Sequence, residues 1–221
     1  MAPARCAQVI AATLDLRHQL LPTRQQGSRQ TCLAFAASSA HELIGKHTQS
    51  LSVEYLFFHA VERTAGSNPH NGTSMEAMAS ALADVGQPIE MAWPYLPRQL
   101  VAPDWVPPSV NSEIYRRPMT VGRMSSSDIS STLDSGRAVV LGLIISDAFW
   151  QVDAVGVVPD VVPDIDRGGH AVLAVGHGLD HAGKRYFLVR NSWGSEWGVG
   201  GYAWLSESYL ARQLHETATL N

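Results

Sequence analysis

The chain has 221 residues, of which 45% are hydrophobic and 16% charged, and its formal net charge is −4. This composition is typical of a globular protein, and a mildly acidic chain without a block of Lys or Arg argues against nucleic acid as a partner. No apolar run approaches the roughly 20 residues that a membrane-spanning helix needs, so we expect no membrane partner. The two cysteines, Cys6 and Cys32, are too few for a disulfide framework.

The N-terminal region contains a short apolar run, residues 7–12, that Asp15 soon follows, which is a poor match to a secretory signal. With the low cysteine content, this favours a cytoplasmic protein, or one exported without a cleavable signal peptide. Residues 14–17 alternate between apolar and polar side chains and predict a short strand.

A buried helix is predicted next. Apolar residues recur at helical spacing, at Leu33, Ala36, Ala37, Ala40 and Ile44. The other faces are nearly uncharged, with Ala34, Phe35, Ser38 and Ser39, which is typical of a buried helix. Thr31 is the predicted N-cap and Gly45 the predicted stop. The helix therefore begins at or beside Cys32.

Cys32 is the first candidate for chemistry. A thiol at a helix N-terminus lies near the positive end of the helix dipole and near unpaired backbone N–H groups, which favour the nucleophilic thiolate. The alternative, from this stretch alone, is a small hydrophobic residue in a core helix, which is the commoner role of a lone intracellular cysteine.

The remaining elements divide the chain into two halves. Two more helices are predicted at residues 55–64 and 74–84, a proline-rich connection at 88–118, and β-strands at 138–146, 170–176, 186–191 and 201–206. This order predicts an α+β fold in a single unit, 1–221, with a mainly helical lobe at 26–112. The mainly β lobe, an antiparallel sheet or open barrel, is predicted at 1–25 and 113–221, with a cleft between the lobes.

Three residues complete a set that suits acyl transfer by Cys32. His170 follows two glycines at the start of a strand and is the candidate base, and Asn191, at the end of the next strand, is the candidate that orients it. Gln26 is a candidate side-chain donor to an oxyanion, beside the backbone N–H of Cys32. Individually they have simpler explanations, as a core histidine, a turn residue and a solvated loop residue, but their order and spacing favour the catalytic interpretation.

These segments resemble the papain-like family of cysteine peptidases. The resemblance rests on Gln26-Gly27-Ser28 with Cys32, on residues 168–176 (GGHAVLAVG), and on the NSWGSEWGVGGY block at 191–202. It extends from about residue 14 to residue 202. It implies the papain-like fold, with a helical lobe, a β-barrel-like lobe and an active-site cleft between them.

The resemblance also implies roles for individual residues. Cys32 would be the nucleophile, His170 the base and acid that forms an ion pair with it, Asn191 the residue that orients His170, and Gln26 the oxyanion donor. Trp193 would shield the bond between His170 and Asn191 from water. The substrate-binding residues would be Gly72 and Thr73 on the substrate backbone, and Met75, Gly168 and Gly169 along the pocket for the side chain two residues before the scissile bond.

The chain differs from the family pattern at several positions. Leu33 stands where the family usually has tryptophan, and Arg29 stands where it has a half-cystine, as expected for a disulfide-free member. The short stretch before Gln26 leaves no room for an inhibitory pro-segment, so restraint is expected from an inhibitor or regulatory partner, localisation or narrow specificity. No acidic residue matches at the pocket positions, so a moderately apolar substrate side chain is expected.

The sequence thus predicts a thiol protease that hydrolyses protein or peptide substrates through a Cys-His-Asn triad and a thioester. A papain-fold acyltransferase or peptide ligase and a non-catalytic binding or toxin module remain alternatives. No cofactor and no metal site are expected, because the nine histidines lack Cys or acidic neighbours at ligand spacing.

Overall fold

The computed structural model describes residues 9–66, 68–98 and 105–221. Cys6 and part of the predicted proline-rich connection lie outside these residues. The described residues form five α-helices: α1 (Cys32–Ile44), α2 (Val53–Glu62), α3 (Met75–Asp84), α4 (Ser126–Asp134) and α5 (Glu207–Gln213). They also form seven strands: β1 (Ala11–Asp15), β2 (Met119–Gly122), β3 (Val139–Ser146), β4 (Asp166–Leu179), β5 (Arg185–Arg190), β6 (Tyr202–Ser206) and β7 (Leu214–Leu220).

Helix α1 confirms the prediction of a buried helix that begins at Cys32. Every residue from 33 to 43 is buried, as expected for a helix with small or apolar side chains on all faces. Thr31 occupies the N-cap position, but its side chain makes no capping bond. Its hydroxyl oxygen instead lies 2.7 Å from the hydroxyl oxygen of Tyr95, which ties the start of α1 to the loop that follows α3.

The next two helices begin with side-chain caps. The hydroxyl of Ser52 accepts a hydrogen bond from the backbone N–H of Tyr55 at the start of α2, and that of Ser74 accepts one from Ala77 at the start of α3. Such caps satisfy backbone donors that have no partner within the helix. Both helices therefore begin within two residues of their predicted starts.

The strands form one antiparallel sheet in the order β2-β7-β3-β4-β5-β6, and β1 pairs with β4. The α+β class is confirmed, but the barrel-like lobe is an open sheet, because no described residues pair β2 with β6 at the two ends of this order. Helix α1 packs against β3 and β4 in the centre of the sheet. This contact brings the first residue of α1 close to the strand that carries His170.

Two helices and two strands in the second half were not predicted from the sequence. Helix α4 buries Ile129 and Leu133 as its large apolar residues, so its serine-rich sequence shows little helical periodicity, although Ser125 and Asp128 form a capping box at its start. Helix α5 is only 7 residues long. Strands β2 and β7 pair with each other at the edge of the sheet, and β7 also pairs with β3.

None of the helices in the described ranges has the length and apolar character to cross a bilayer.

Candidate active site

Cys32 lies where α1 meets the first buried part of β4. Its thiol is free and partly exposed, and the backbone N–H of Ala171, the residue after His170, points at the sulfur. Cys32 and His170 line the same cavity of about 220 Å³. The two residues that the sequence places 138 positions apart are therefore brought together by the packing of α1 on the sheet.

Burial determines the charge state of this pair. Loss of solvent raises the pKa of the Cys32 thiol above its ordinary value, although the backbone N–H groups of Ala171, Leu33 and Cys32 itself act in the opposite direction. Burial also lowers the pKa of His170 to about 4, against the opposing effect of its hydrogen bond to Asn191. Burial therefore acts against both the resting thiolate and the ion pair that the sequence analysis expects. Desolvation disfavours the charged form of each side chain.

Asn191 fixes the orientation of the His170 ring. The ring Nε2 donates to the side-chain Oδ1 of Asn191 at 2.8 Å, and the backbone N–H of Ser192 donates to the same oxygen at 2.8 Å. The side-chain oxygen of Asn191 can only accept hydrogen bonds, so the ring nitrogen that faces it must carry a hydrogen. The proton of neutral His170 is therefore on Nε2. Nδ1 is then left with a lone pair that can accept a proton.

An aromatic cluster surrounds this hydrogen bond. The Trp193 ring lies 4.7 Å from the His170 ring, centroid to centroid, and Phe149 lies 5.7 Å from it. Trp150 stacks on Trp193 at 5.4 Å, and Trp197 stacks on Phe149 at 5.0 Å. His170, with Trp193 beside its ring, is only 7% exposed.

Gln26 is held at both ends of its side-chain amide. Its Oε1 accepts from the hydroxyl of Ser192 at 2.6 Å, and its Nε2 donates to the backbone carbonyl of Arg29 at 2.7 Å. The backbone N–H of Gln26 also donates to the carbonyl of Ser192 at 2.8 Å. An amide nitrogen has two hydrogens, so one donor of Gln26 is not used by Arg29.

A buried ion pair anchors the loop that precedes Cys32. Arg29 donates from Nη1 and Nη2 to the two carboxylate oxygens of Glu54 at 2.5 and 2.7 Å, and the indole N–H of Trp105 donates to the same carboxylate at 2.6 Å. The side chain of Arg29 is 4% exposed and that of Glu54 is fully buried. We call this arrangement of Arg29, Glu54 and Trp105 the Arg29 clasp. Arg29 stands at the position where the papain-like family has a half-cystine.

The cavity of about 220 Å³ is called the Met75 cavity below. Its walls include Cys32 and His170 and four of the predicted substrate-binding residues, Gly72, Thr73, Met75 and Gly169. Gly72 has a φ of +79°, and a Cβ there would lie 3.3 Å from the backbone oxygen of Gln30, so a glycine suits this close approach.

A second cavity of about 390 Å³ lies on the other side of His170. Gln26, Gly168 and Trp193 line it, together with Gly169, which borders both cavities. Gly168 lines this second cavity and is not among the residues that line the Met75 cavity.

The sequence analysis missed an acidic residue in the Met75 cavity. Glu216 and His215 of β7 line it, together with Gly142 and Leu143 of β3. The expectation of a pocket without an acidic residue was therefore wrong. No motif marks Glu216, because its position follows only from the pairing of the last strand with β3. The partly alternating sequence of residues 214–220 is the one signal from which a strand could have been predicted there.

The described residues contain no group of three or more His, Cys, Asp or Glu side chains that could hold a metal ion.

Comparison with known proteins gives the family. The model of the papain family cysteine proteases matches residues 10–219. The chain belongs to the papain family of cysteine proteases. The match extends beyond residue 202, where the resemblance in the sequence ends, and includes β7 with Glu216.

Curated relatives of this papain-family chain are distant. A cysteine protease of Blomia tropicalis is 28% identical over 212 residues, which cover 91% of this chain and 62% of the relative. A cathepsin L-like peptidase of Aedes aegypti is 26% identical over 212 residues, which cover 87% of this chain and 58% of the relative. The chain therefore spans about 60% of the length of these relatives.

Solved structures support the same fold. Xylellain, a cysteine protease from Xylella fastidiosa, superposes with a TM-score of 0.77 at 20% identity, over 96% of this chain and 87% of that one. The Carica candamarcensis cysteine protease CMS1MS2, solved in complex with E-64, superposes with a TM-score of 0.75 at 22% identity, over 96% and 99%. At this level of identity the similarity establishes the fold alone.

Proposed function

We propose that this chain is a cysteine endopeptidase that hydrolyses peptide bonds of protein or peptide substrates through Cys32, His170 and Asn191. The observation that carries the proposal is that Cys32 and His170 line one cavity while Nε2 of His170 is held by Asn191 at 2.8 Å. Nδ1 of the imidazole is then available to accept the proton of the Cys32 thiol. Membership of a family of cysteine proteases supports the same activity.

The first half of the reaction makes a thioester. Nδ1 of His170 takes the proton of the Cys32 thiol as the sulfur attacks the peptide carbonyl carbon. The imidazolium that forms is stabilised by the hydrogen bond from Nε2 to Asn191. The carbonyl oxygen becomes an oxyanion, for which we propose the backbone N–H of Cys32 and the unused N–H of Gln26 as donors. The imidazolium then protonates the departing amine, and the acyl group remains on sulfur.

In the second half of the reaction, a water molecule hydrolyses the thioester. His170, neutral again, removes a proton from a water molecule that attacks the thioester carbon. The same donors stabilise the second oxyanion, the carbon–sulfur bond breaks, and the proton returns from His170 to the sulfur. The products are a free carboxylate and the starting enzyme. In the predicted two-lobed division, this chemistry takes place in the cleft between residues 26–112 and the rest of the chain.

Product analysis tests the proposal against its alternatives. We expect purified protein to cleave internal bonds of a diverse peptide library, with free carboxylates at the new C-termini, and to bind the epoxide E-64 with a stoichiometry of one. Mass spectrometry of the peptides and of the labelled protein measures both. Conjugates with added amine acceptors in place of free carboxylates would favour an acyltransferase or ligase. Absence of both turnover and labelling would favour a binding module.

The buried histidine predicts the acid limit of activity. Only neutral His170 accepts the thiol proton, and burial places its pKa at about 4. We therefore expect kcat/KM to rise as pH increases through about 4 and to be near its plateau at pH 6. Initial rates on one fluorogenic peptide, with circular dichroism at each pH to confirm that the fold persists, measure this. An acid limb centred near pH 6.5 would contradict it, because that value belongs to a solvated histidine.

A further inference from the structure

The hydroxyl of Tyr95 lies between two residues of the loop that leads to Cys32. It donates a hydrogen bond to the backbone carbonyl of Gln26 at 2.7 Å, and it lies 2.7 Å from the hydroxyl oxygen of Thr31. A phenol has one hydrogen, and the carbonyl of Gln26 accepts it, so the hydroxyl of Thr31 donates to the oxygen of Tyr95. One oxygen atom therefore joins the two ends of the segment 26–31.

These two ends carry the donors that are proposed for the oxyanion. Gln26 supplies a side-chain N–H, and the peptide group between Thr31 and Cys32 supplies the backbone N–H of Cys32. The carbonyl of that peptide group accepts from the backbone N–H of Phe35 at 3.1 Å. The ring of Tyr95 packs edge-on against the ring of Phe35, with 4.8 Å between the centroids. Tyr95 therefore contacts the backbone on both sides of the donor pair.

The segment around Tyr95 packs against the same loop at three further points. The guanidinium carbon of Arg29 lies 5.1 Å from the centre of the Tyr95 ring, and Nη1 of Arg29 donates to the carbonyl of Leu96 at 2.9 Å. Gly27 has a φ of +64°, and a Cβ there would lie 2.1 Å from the carbonyl oxygen of Pro97. The two segments thus meet backbone to backbone, and the Tyr95 hydroxyl has a fixed place against the loop.

We propose that Tyr95 is a positioning residue for the oxyanion donors of the peptidase reaction. Its hydroxyl sets the separation between the side chain of Gln26 and the N–H of Cys32, which must reach one oxygen atom together. Tyr95 is not among the residues that line either cavity beside His170, so it acts through Gln26 and Thr31 rather than on the substrate. This inference rests on the proposed peptidase activity and adds a residue to it.

Tyr95→Phe tests the proposal, because it removes the hydroxyl and keeps the ring. We expect kcat on a peptide substrate to fall by about 10- to 100-fold, since a displaced donor loses part of the roughly 10²- to 10³-fold that one oxyanion donor contributes. KM should change by less than about threefold, because the lost interaction belongs to the transition state. Tyr115→Phe is the matched control and should retain kcat: Tyr115 is also half-buried, and its hydroxyl bonds to Glu113.

A second measurement separates the oxyanion donors from the nucleophile. Iodoacetamide alkylates the Cys32 sulfur by displacement of iodide from carbon, and no oxyanion forms in that step. We expect its rate with Tyr95→Phe to stay within about twofold of the wild-type rate, because the thiol and His170 are unchanged. Mass spectrometry of the peptide that contains Cys32 measures this rate. A merely structural loss would slow alkylation and peptide cleavage together.

Thr31 gives an independent test of the same connection. Thr31→Val removes the hydroxyl that donates to Tyr95, whereas Thr31→Ser retains it. Thr31→Val should lower kcat, and Thr31→Ser should keep most of it. The double variant Thr31→Val with Tyr95→Phe should lose less than the product of the two single losses, because both changes break one link. This set decides the question even if Tyr95→Phe does not fold, as judged by circular dichroism.

The outcomes distinguish this inference from the proposed activity. Wild-type kcat in Tyr95→Phe, equal losses of kcat and alkylation rate, or equal losses in Thr31→Val and Thr31→Ser would overturn the role of Tyr95 and leave the peptidase intact. A wild-type protein that neither cleaves peptides nor binds E-64 would overturn the proposed activity itself, and the inference would fall with it.

Discussion

Replacing Cys32 with alanine is expected to lower kcat/KM by at least about 10⁴-fold and to abolish labelling by E-64, because the thioester cannot form without the sulfur. The fold should persist, since Cys32 is partly exposed and the change removes a single atom of sulfur from the first position of α1. Steady-state rates, the mass of the protein after exposure to E-64, and circular dichroism measure the three effects.

The other cysteine of the chain supplies the control. Cys6→Ala should retain both turnover and labelling, so that a loss confined to Cys32→Ala identifies the reactive thiol rather than a general effect of cysteine removal. If Cys32→Ala still cleaved peptides at a rate near that of the wild type, the proposed mechanism would be wrong, whether or not E-64 labelled the variant.

Breaking the Arg29 clasp is expected to have the largest effect on stability. In Glu54→Gln the guanidinium of Arg29 stays buried without a carboxylate partner, and loss of one partner of a buried ion pair typically costs about 3–5 kcal/mol. We expect the free energy of unfolding to fall by about this amount. Chemical denaturation followed by tryptophan fluorescence measures it, and activity should fall in parallel because the clasp holds the loop before Cys32.

Matched variants distinguish the stability that the Arg29 clasp provides from that of an ordinary surface charge. Glu62→Gln lies on the same helix, but its side chain is 53% exposed, so it should change stability by less than about 0.5 kcal/mol. The double variant Arg29→Met with Glu54→Leu removes both charges and should recover most of the loss. A Glu54→Gln protein as stable as the wild type would show that the ion pair contributes little.

The parts of the molecule that the sequence predicted well depend on local pattern. Most residues of helix α1 are apolar or small, and the helix lies between a polar loop and Gly45, so both its ends and its burial could be predicted. His170 and Asn191 belong to long sequence motifs. The structure places His170 within β4, rather than at the strand start predicted for it, and Asn191 directly after β5, and it brings His170 to Asn191 and to the Cys32 cavity. The assignment of catalytic roles to these residues remains a proposal.

The parts that the sequence did not predict depend on tertiary structure. Glu216 reaches the cavity because β7 pairs with β3 through a bulge, and nothing in the local sequence indicates this pairing. A thiolate at Cys32 was predicted from the helix dipole, but burial acts against it and is the larger effect on the pKa of that thiol. Burial is likewise the larger effect on the pKa of His170. Local spacing identifies chemical groups, whereas desolvation follows from the complete packing around them.

The Arg29 clasp also affects how the protein can be handled. A thiol nucleophile is vulnerable to oxidation and is commonly protected with an agent such as dithiothreitol, which also opens disulfides. Here the segment leading to the nucleophile is fastened to α2 by a carboxylate and a guanidinium, which such agents do not attack. The sulfur of Cys32 can therefore be kept reduced at high concentrations of the agent without loosening the loop that presents it.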